Sequence, residues 1–378
     1  NLVDNFNVFF NKDLKDTNYS ISPISIYSAL AMAASITKDK TQSELLDFLN
    51  TSKDDLSTYY KYLFSNLERE FKDFESEEIY DKSHLSNSIW VDKAFPVKES
   101  GLNVLADDMY CYSIKQDFKS DNETANKNMR DFIYDQTNKF LDINLNLNPE
   151  TVFVLLNCYY LKSVWENSYQ GLDLTTKNYE FTNSNGTKIS TKLIVKDKDA
   201  IRLNKQANYS SIYVPGSHST KVHFILPTEG NSINSVFNKA TLDQVINCSY
   251  DNIDENKEYY TTTYFPEFEA NCDKNIVDLL KDMGVNSLFN DCNADFYPLT
   301  DDNTTVVSEI RHISKLKVDK TGVEGAAITV LVDTATSMPQ ERKKIYEELV
   351  INKPFGYVIT RANVPVFSGI VNVVNPVK

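Results

Sequence analysis

The chain has 378 residues, 41% hydrophobic and 12% aromatic, with 39 Lys and Arg against 53 Asp and Glu for a net charge of -14. That length and composition can bury a core without disulfide or metal support, so wholesale disorder is excluded. The acidity argues against general binding of nucleic acid or anionic lipid, and 10 glycines are too few for glycine-rich nucleotide loops to organise the fold.

In chain order, Ser22-Pro23 reads as a helix start: Ser caps free N–H groups and Pro suits the first helical position. Residues 26–34 are small and apolar, as in a helix buried on nearly every side. Residues 56–74 and 124–140 mix aromatic and charged residues at helical spacing and predict two amphipathic surface helices. Residues 151–156 (TVFVLL) predict a strand covered on both faces, and 222–226 and 364–374 also read as strands. Helices and strands intermix without regular alternation, which predicts an α+β fold around one large mixed sheet. No run approaches 18 apolar residues, so no membrane-spanning helix is expected.

The chemistry-bearing motifs of hydrolases, P-loop proteins and zinc proteases are missing. The five cysteines, Cys111, Cys158, Cys248, Cys272 and Cys292, form no CxxC pair and signal neither a metal site nor a disulfide framework. Glycosylation sequons begin at Asn18, Asn50, Asn122, Asn185, Asn208, Asn247 and Asn303, and permit secretion without requiring it. Of the four histidines, His218 falls in a loop-like segment, and His223 and His312 fall on apolar strands. His312 lies on the alternating face Val306, Ser308, Ile310, His312, Ser314, Leu316, Val318, where a buried hydrogen-bonding role is expected. Beyond it, residues 319–325 lead into the small, β-branched run 326–332, then a polar stretch and a charged cluster at 341–344. That segment reads either as a hairpin strand or as a loop able to become one.

Taken together, these segments resemble the serpin family over nearly the whole chain. The stretch from Val307 through His312 to Gly322-Val323-Glu324-Gly325-Ala326-Ala327 resembles a serpin strand running into the hinge of the reactive loop. Residues 18–25 (NYSISPIS), 87–90, 128–137, 157–166 (NCYYLKSVWE), 265–268 (FPEF), 283–289, 294–295 and 352–376 match further family segments in the right order. The resemblance implies a single serpin domain over residues 1–378, with three β-sheets, about eight or nine helices and an exposed reactive-centre loop at about 322–345. It implies no enzyme, cofactor or metal. Its function would be suicide-substrate inhibition: a serine protease cleaves the loop, and the loop inserts into the large sheet before the acyl-enzyme is hydrolysed. The alternative is a non-inhibitory serpin with a carrier, chaperone or storage role.

Residue by residue, the resemblance places the shutter at Ser22, Ser25, Asn157 and His312. It places the hinge at Lys320, Gly322, Val323, Glu324, Gly325, Ala326 and Ala327, and the breach at Trp165 and Glu267. Loop residues that would enter the core are Val323, Gly325, Ala327, Thr329 and Leu331, none charged; Asp333 is a poor, late entrant, and Glu324 would face outward and stay wet. Departures are Val323 for the usual Thr, Gly325 for Ala, and Lys320 opposite Glu267, a pair read as retained with its charges swapped. The segment between Leu49 and Asn87 is short against the family pattern, so two helices there are expected to be rearranged. Residues 67–78 are rich in Glu, so a heparin-type cofactor is not expected. Family spacing puts the scissile bond between Thr336 and Ser337, suiting an elastase-like protease. Cleavage between Arg342 and Lys343 would suit a trypsin-like one, with about 20 Å more tether. The expected partner is a serine protease, without nucleic acid or membrane span, for a monomer. The compartment is expected to be extracellular or surface-associated, with an intracellular one as the alternative.

Overall fold

The computed structural model describes residues 16–166, 168, 171–248, 250, 257–290, 294–307, 310–324 and 342–375. The chain runs through β1 (Tyr19–Ile21), α1 (Pro23–Ser35), α2 (Asp39–Leu49), α3 (Lys53–Leu67), β2 (Arg69–Lys72), β3 (Ile79–Asp92), α4 (Glu99–Met109), β4 (Cys111–Gln116) and α5 (Asn122–Gln136). It continues through β5 (Phe153–Val164), β6 (Asp173–Leu174), β7 (Tyr179–Thr182), β8 (Lys188–Thr191), β9 (Ile194–Asp199), β10 (Asn204–Lys205), β11 (Tyr209–Pro215) and β12 (Thr220–Pro227). Then come α6 (Ile233–Val236), α7 (Lys239–Asn247), β13 (Lys257–Phe265), β14 (Phe268–Asn275) and α8 (Val277–Asp282). The last strands are β15 (Arg311–Asp319), β16 (Gly322–Val323), β17 (Lys343–Val350), β18 (Phe355–Arg361) and β19 (Val364–Val371).

Three large sheets and a small ribbon, β7-β8, result. The seven-stranded sheet runs β14-β15-β16-β5-β3, with β2 and β4 on different lengths of β3. The six-stranded sheet runs β1-β19-β18-β12-β11-β10, and the four-stranded one β17-β13-β9-β6. Strands far apart in sequence become neighbours, so the sheets knit the chain end to end. Among the described residues there are eight α-helices, and the α+β expectation stands.

α1 begins as expected: Ser22 accepts the Ser25 N–H at 3.4 Å and Pro23 follows. Its apolar run makes it the buried helix of the main core, behind the seven-stranded sheet. α5 covers the other face of that sheet over a smaller core of Trp90, Phe118, Met129, Ile133 and Cys158. It stops short of residue 140, because Asn138 and Lys139 take left-handed backbone angles. The helix expected over 56–74 also ends early, at Leu67. Glu68 is drawn onto β3, accepting the Leu85 N–H at 2.9 Å and meeting His84 Nδ1 at 2.8 Å. β2 then pairs with β3, and Asp73 turns the chain by accepting the Glu75 and Ser76 N–H groups. The rearrangement expected between Leu49 and Asn87 is thus one helix followed by a hairpin.

Cys111, Cys158 and Cys272 are buried free thiols. Asn18, in the first sequon, is consumed by structure. Its amide donates to the carbonyls of Glu269 and Val373, and its oxygen accepts from the N–H groups of Asn372 and Val373.

One buried ion pair ties the seven-stranded sheet to the six-stranded one. Arg361 of β18 donates to both carboxylate oxygens of Asp81 on β3, at 2.6 and 2.9 Å, and also to the Ser217 carbonyl and Thr220 hydroxyl. Both side chains are almost fully enclosed, at 2% and 0% exposure. Such a pair contributes little against an apolar replacement, but a lone survivor is strongly destabilising. Asp81→Ala, which strands the guanidinium, is expected to cost about 3–5 kcal/mol, read as a fall in the urea midpoint.

Candidate functional site

The site is a gap in the seven-stranded sheet. β15 ends at Asp319, turns through Lys320 and Thr321, and returns as β16. Asp319 Oδ1 caps the turn by accepting the Thr321 N–H at 2.8 Å. Val323 pairs with Val318 on one side and Ser163 on the other; Gly322 pairs with Asp319 and Val164. Gly322 has φ 150°, and a Cβ there would lie 2.2 Å from the Ser163 carbonyl oxygen, so only glycine fits. Among the described residues, these two make up the inserted strand. Beyond them, among the described residues, β5 and β15 share no hydrogen-bonded pair. The space between opens into a cavity of about 310 Å³.

Ser22, Ser25, Asn157 and His312 all line this cavity. The Ser22 N–H donates to His312 Nε2 at 3.1 Å. Burial pushes the His312 imidazole down to about 4, so at neutral pH the ring is uncharged. Asn157 stands on β5 across the gap and is engaged elsewhere: its amide donates to Asn87 Oδ1 at 2.8 Å, and its own oxygen is buried without a partner. Asn87 in turn donates to the Tyr60 hydroxyl and the Met109 carbonyl. The fold therefore gathers the four residues around one space without bonding β5 to β15 through them. Sequence reasoning missed Asn87 and Tyr60 as supports. Their signal was weak: a polar residue on the inward face of one strand and a tyrosine on an amphipathic helix.

At the mouth, Trp165 is fully buried and its indole N–H donates to the Asp319 carbonyl at 2.9 Å, with Phe265 packed edge-on at 5.5 Å. Glu267 meets Lys320 differently from the expected charge-swapped pair. Its Oε1 accepts the Lys320 backbone N–H at 3.2 Å, and the ion pair on this turn joins Lys317 to Asp319 at 2.8 Å. The turn presents a main-chain donor to Glu267, so side-chain charge at residue 320 is not what holds it. Glu267→Lys is accordingly expected to give no rescue of Lys320→Glu in denaturant unfolding of the double variant.

Val323 is buried on the core face, as expected of an entering residue. Glu324 faces the other way but does not stay wet. Tyr160 donates to its Oε1 at 2.7 Å, and its Oε2 is buried without a partner. Phe140 and Leu141, just after α5, line the same cavity and cover it. Burial pushes the Glu324 carboxyl up to about 7.

Ser308, the hinge residues Gly325, Ala326 and Ala327, the later entrants Thr329 and Leu331, and the Thr336–Ser337 bond lie outside the described residues. Both ends of the range expected for the loop, about 322–345, are strand: residues 322–323 belong to β16, and β17 begins at Lys343. Arg342 is exposed, and Lys343 pairs alongside Lys257 in the four-stranded sheet. Among the described residues, no group of His, Cys, Asp or Glu could hold a metal ion, and no helix is long and apolar enough to cross a membrane.

A family model described as serpin (serine protease inhibitor) matches residues 4–376. The chain belongs to the serpin family. Human Serpin B4 is 25% identical to this serpin over 364 residues, covering 91% of this chain and 90% of its own. An uncharacterized serpin-like protein of Thermococcus kodakarensis is 26% identical, covering 92% of this chain and 79% of its own. Among solved structures, the native stressed conformation of an Arabidopsis serpin superposes with a TM-score of 0.78 at 19% identity, over 98% of this chain and 95% of that one. Human thyroxine-binding globulin complexed with thyroxine superposes at 0.77 and 20%, over 100% and 97%. At these identities the structural likeness shows the fold. Serpins are generally inhibitors of proteases rather than catalysts.

His312 carries a pH signature. Its folded value, about 4, lies below the unfolded value near 6.5. The stabilisation it contributes is present above about pH 6.5 and lost as pH falls towards 4, up to about 3 kcal/mol. His312→Gln keeps an acceptor for the Ser22 N–H but cannot titrate. Urea unfolding from pH 7 to 4.5 is expected to show a shallower loss in the variant than in the wild type.

Proposed function

We propose that this serpin is a suicide-substrate inhibitor of serine proteases. The observation that carries the reading is the seated start of β16: two of the expected hinge residues lie in strand register at the head of a cavity between β5 and β15, and among the described residues those two strands share no further pairing there. In this reading residues 1–378 work as one unit. A protease attacks the loop, and its serine forms an ester with the new carboxyl terminus as the peptide bond breaks. The freed N-terminal side then continues β16 down the gap, with Val323, Gly325, Ala327, Thr329 and Leu331 facing the core. The facing edges of β5 and β15, which share no pairing among the described residues beyond β16, supply the backbone partners that make insertion favourable. The tethered acyl-enzyme is carried away from the loop's starting position before water can release it.

The Thr336–Ser337 bond is the preferred scissile bond. The Arg342–Lys343 bond sits where the chain joins β17, against the edge of a sheet, a poor posture for a protease cleft that needs an extended, free segment. Thr336 points to an elastase-like target, with a trypsin-like one as the alternative. Extracellular or surface-associated work suits the exposed Asn50, Asn185, Asn247 and Asn303 of the sequons.

Incubation with elastase, trypsin and chymotrypsin, followed by denaturing electrophoresis and intact-mass measurement, tests the reading. The expected result is an SDS-stable complex with one of them and a released peptide beginning at Ser337. Ala327→Arg, which would carry a charge into the core, is expected to reduce complex yield on the order of tenfold or more in favour of simple cleavage. Plain cleavage of the wild type by every protease, with no rise in melting temperature afterwards, would favour a non-inhibitory serpin.

A further inference from the structure

The hinge and the end of α5 are joined by a hydrogen-bond network that contains two titratable groups. On the sheet face beneath α5, His84 of β3 and Tyr160 of β5 are direct cross-strand partners. Tyr160 donates to Glu324 at 2.7 Å and accepts from the Asn138 amide at 3.2 Å. His84 lies 2.8 Å from Glu68 Oε1 through Nδ1 and 3.0 Å from Gln136 Oε1 through Nε2. Gln136 and Asn138 flank the C-terminus of α5. One short stretch of helix end is therefore pinned by both residues, and one of the pins continues to the hinge.

We propose that Glu324 and His84 form a proton-operated latch that holds the hinge and the end of α5 against the sheet in acid and lets both go as pH rises to neutral. The charged groups around it are few. Glu324 is faced by Tyr160 and Lys162 of β5 and by Lys315 and Lys317 of β15. Lys317 is paired with Asp319, and Lys315 lies over the Phe140 ring with its Nζ 4.7 Å from the centre. The segment after α5 brings Asn138 and Phe140, which are uncharged, and between them the exposed Lys139. Lys162 is influenced by Glu78 as well. His84 is faced by Glu68, by Gln136, and by Lys82, which is itself paired with Glu70 at 2.8 Å.

The sign is the same for both groups. A seated Glu324 buries an unpartnered carboxylate oxygen, so the seated state prefers the neutral acid, and its carboxyl is pushed up to about 7. Released into water, the group returns to the ordinary carboxylate range. Seating is thus fully favoured below that range and loses its advantage as pH rises through about 7. His84 is raised above its ordinary value, first by its bond to Glu68 and further by that to Gln136. An imidazolium donates to both oxygens; a neutral ring can donate to only one. Its grip also weakens as pH rises through the raised value.

Amide hydrogen exchange on the full chain, with intrinsic rates corrected, tests the latch without any protease, so its outcome is separate from that of the inhibition assay. Between about pH 5 and pH 8, protection over residues 316–324 is expected to fall on the order of tenfold or more, together with that over 130–138. Glu324→Gln, permanently neutral, should flatten the hinge profile. Tyr160→Phe removes a donor that favours the carboxylate and should move the hinge midpoint to higher pH. His84→Gln should flatten the helix profile alone. Hinge protection independent of pH in the wild type would overturn the proposal, as would a wild-type profile in Glu324→Gln. Should Glu324→Gln fail to fold, an unmoved midpoint in Tyr160→Phe would do so.

Discussion

The seven-stranded sheet is built around two long strand edges that do not meet. β5 and β15 each have one satisfied side, on β3 and β14. Among the described residues, their facing sides are bridged by Gly322 and Val323 alone. Buried backbone donors and acceptors without partners are expensive, and free edges invite pairing. Everything else about the site follows from how the protein tolerates this gap. α1 closes its floor, α5 and the segment behind it close its roof, and polar side chains are spread along its walls.

The mouth of the gap is held by complementary local geometry. Asp319 is used three ways: its carbonyl accepts from Trp165, its carboxylate caps the turn, and the same carboxylate pairs with Lys317. Gly322 then lets two backbones approach closely. The result is a short, well-anchored wedge at the head of the cavity between β5 and β15. The same anchoring places Glu324 under the end of α5, so the hinge and the covering helix are physically joined.

Much of this was legible from residues alone. The buried helix after Ser22-Pro23 was readable because a cap, a proline and an all-round apolar run agree. His312 was readable as a neutral, buried hydrogen-bonder because alternation placed it on an apolar face. The order of family-like segments pointed to three sheets. Residues 56–74 misled because their helical spacing persists through Phe71 and Phe74; a single carboxylate, Glu68, captured by β3, breaks the helix. Glu324 misled because alternation correctly sent it outward, yet alternation says nothing of what lies over that face. Lys320 misled because a charge pair was inferred from side chains, whereas the turn offers its backbone N–H.

By itself the sequence determined the elements whose patterns are local: helix caps, strand alternation and the absence of enzyme motifs. Those depend on neighbours within a few positions, where propensity and periodicity act. Only the tertiary structure decided the partners of groups that must be satisfied across the fold. Asp81 finds Arg361 across 280 residues of sequence, Asn157 turns to Asn87 rather than to His312, and Glu324 meets Tyr160 in a covered cavity. Burial removes water as the alternative partner, so each of these groups takes whatever the packed chain brings within reach, and that is a property of the assembled sheets.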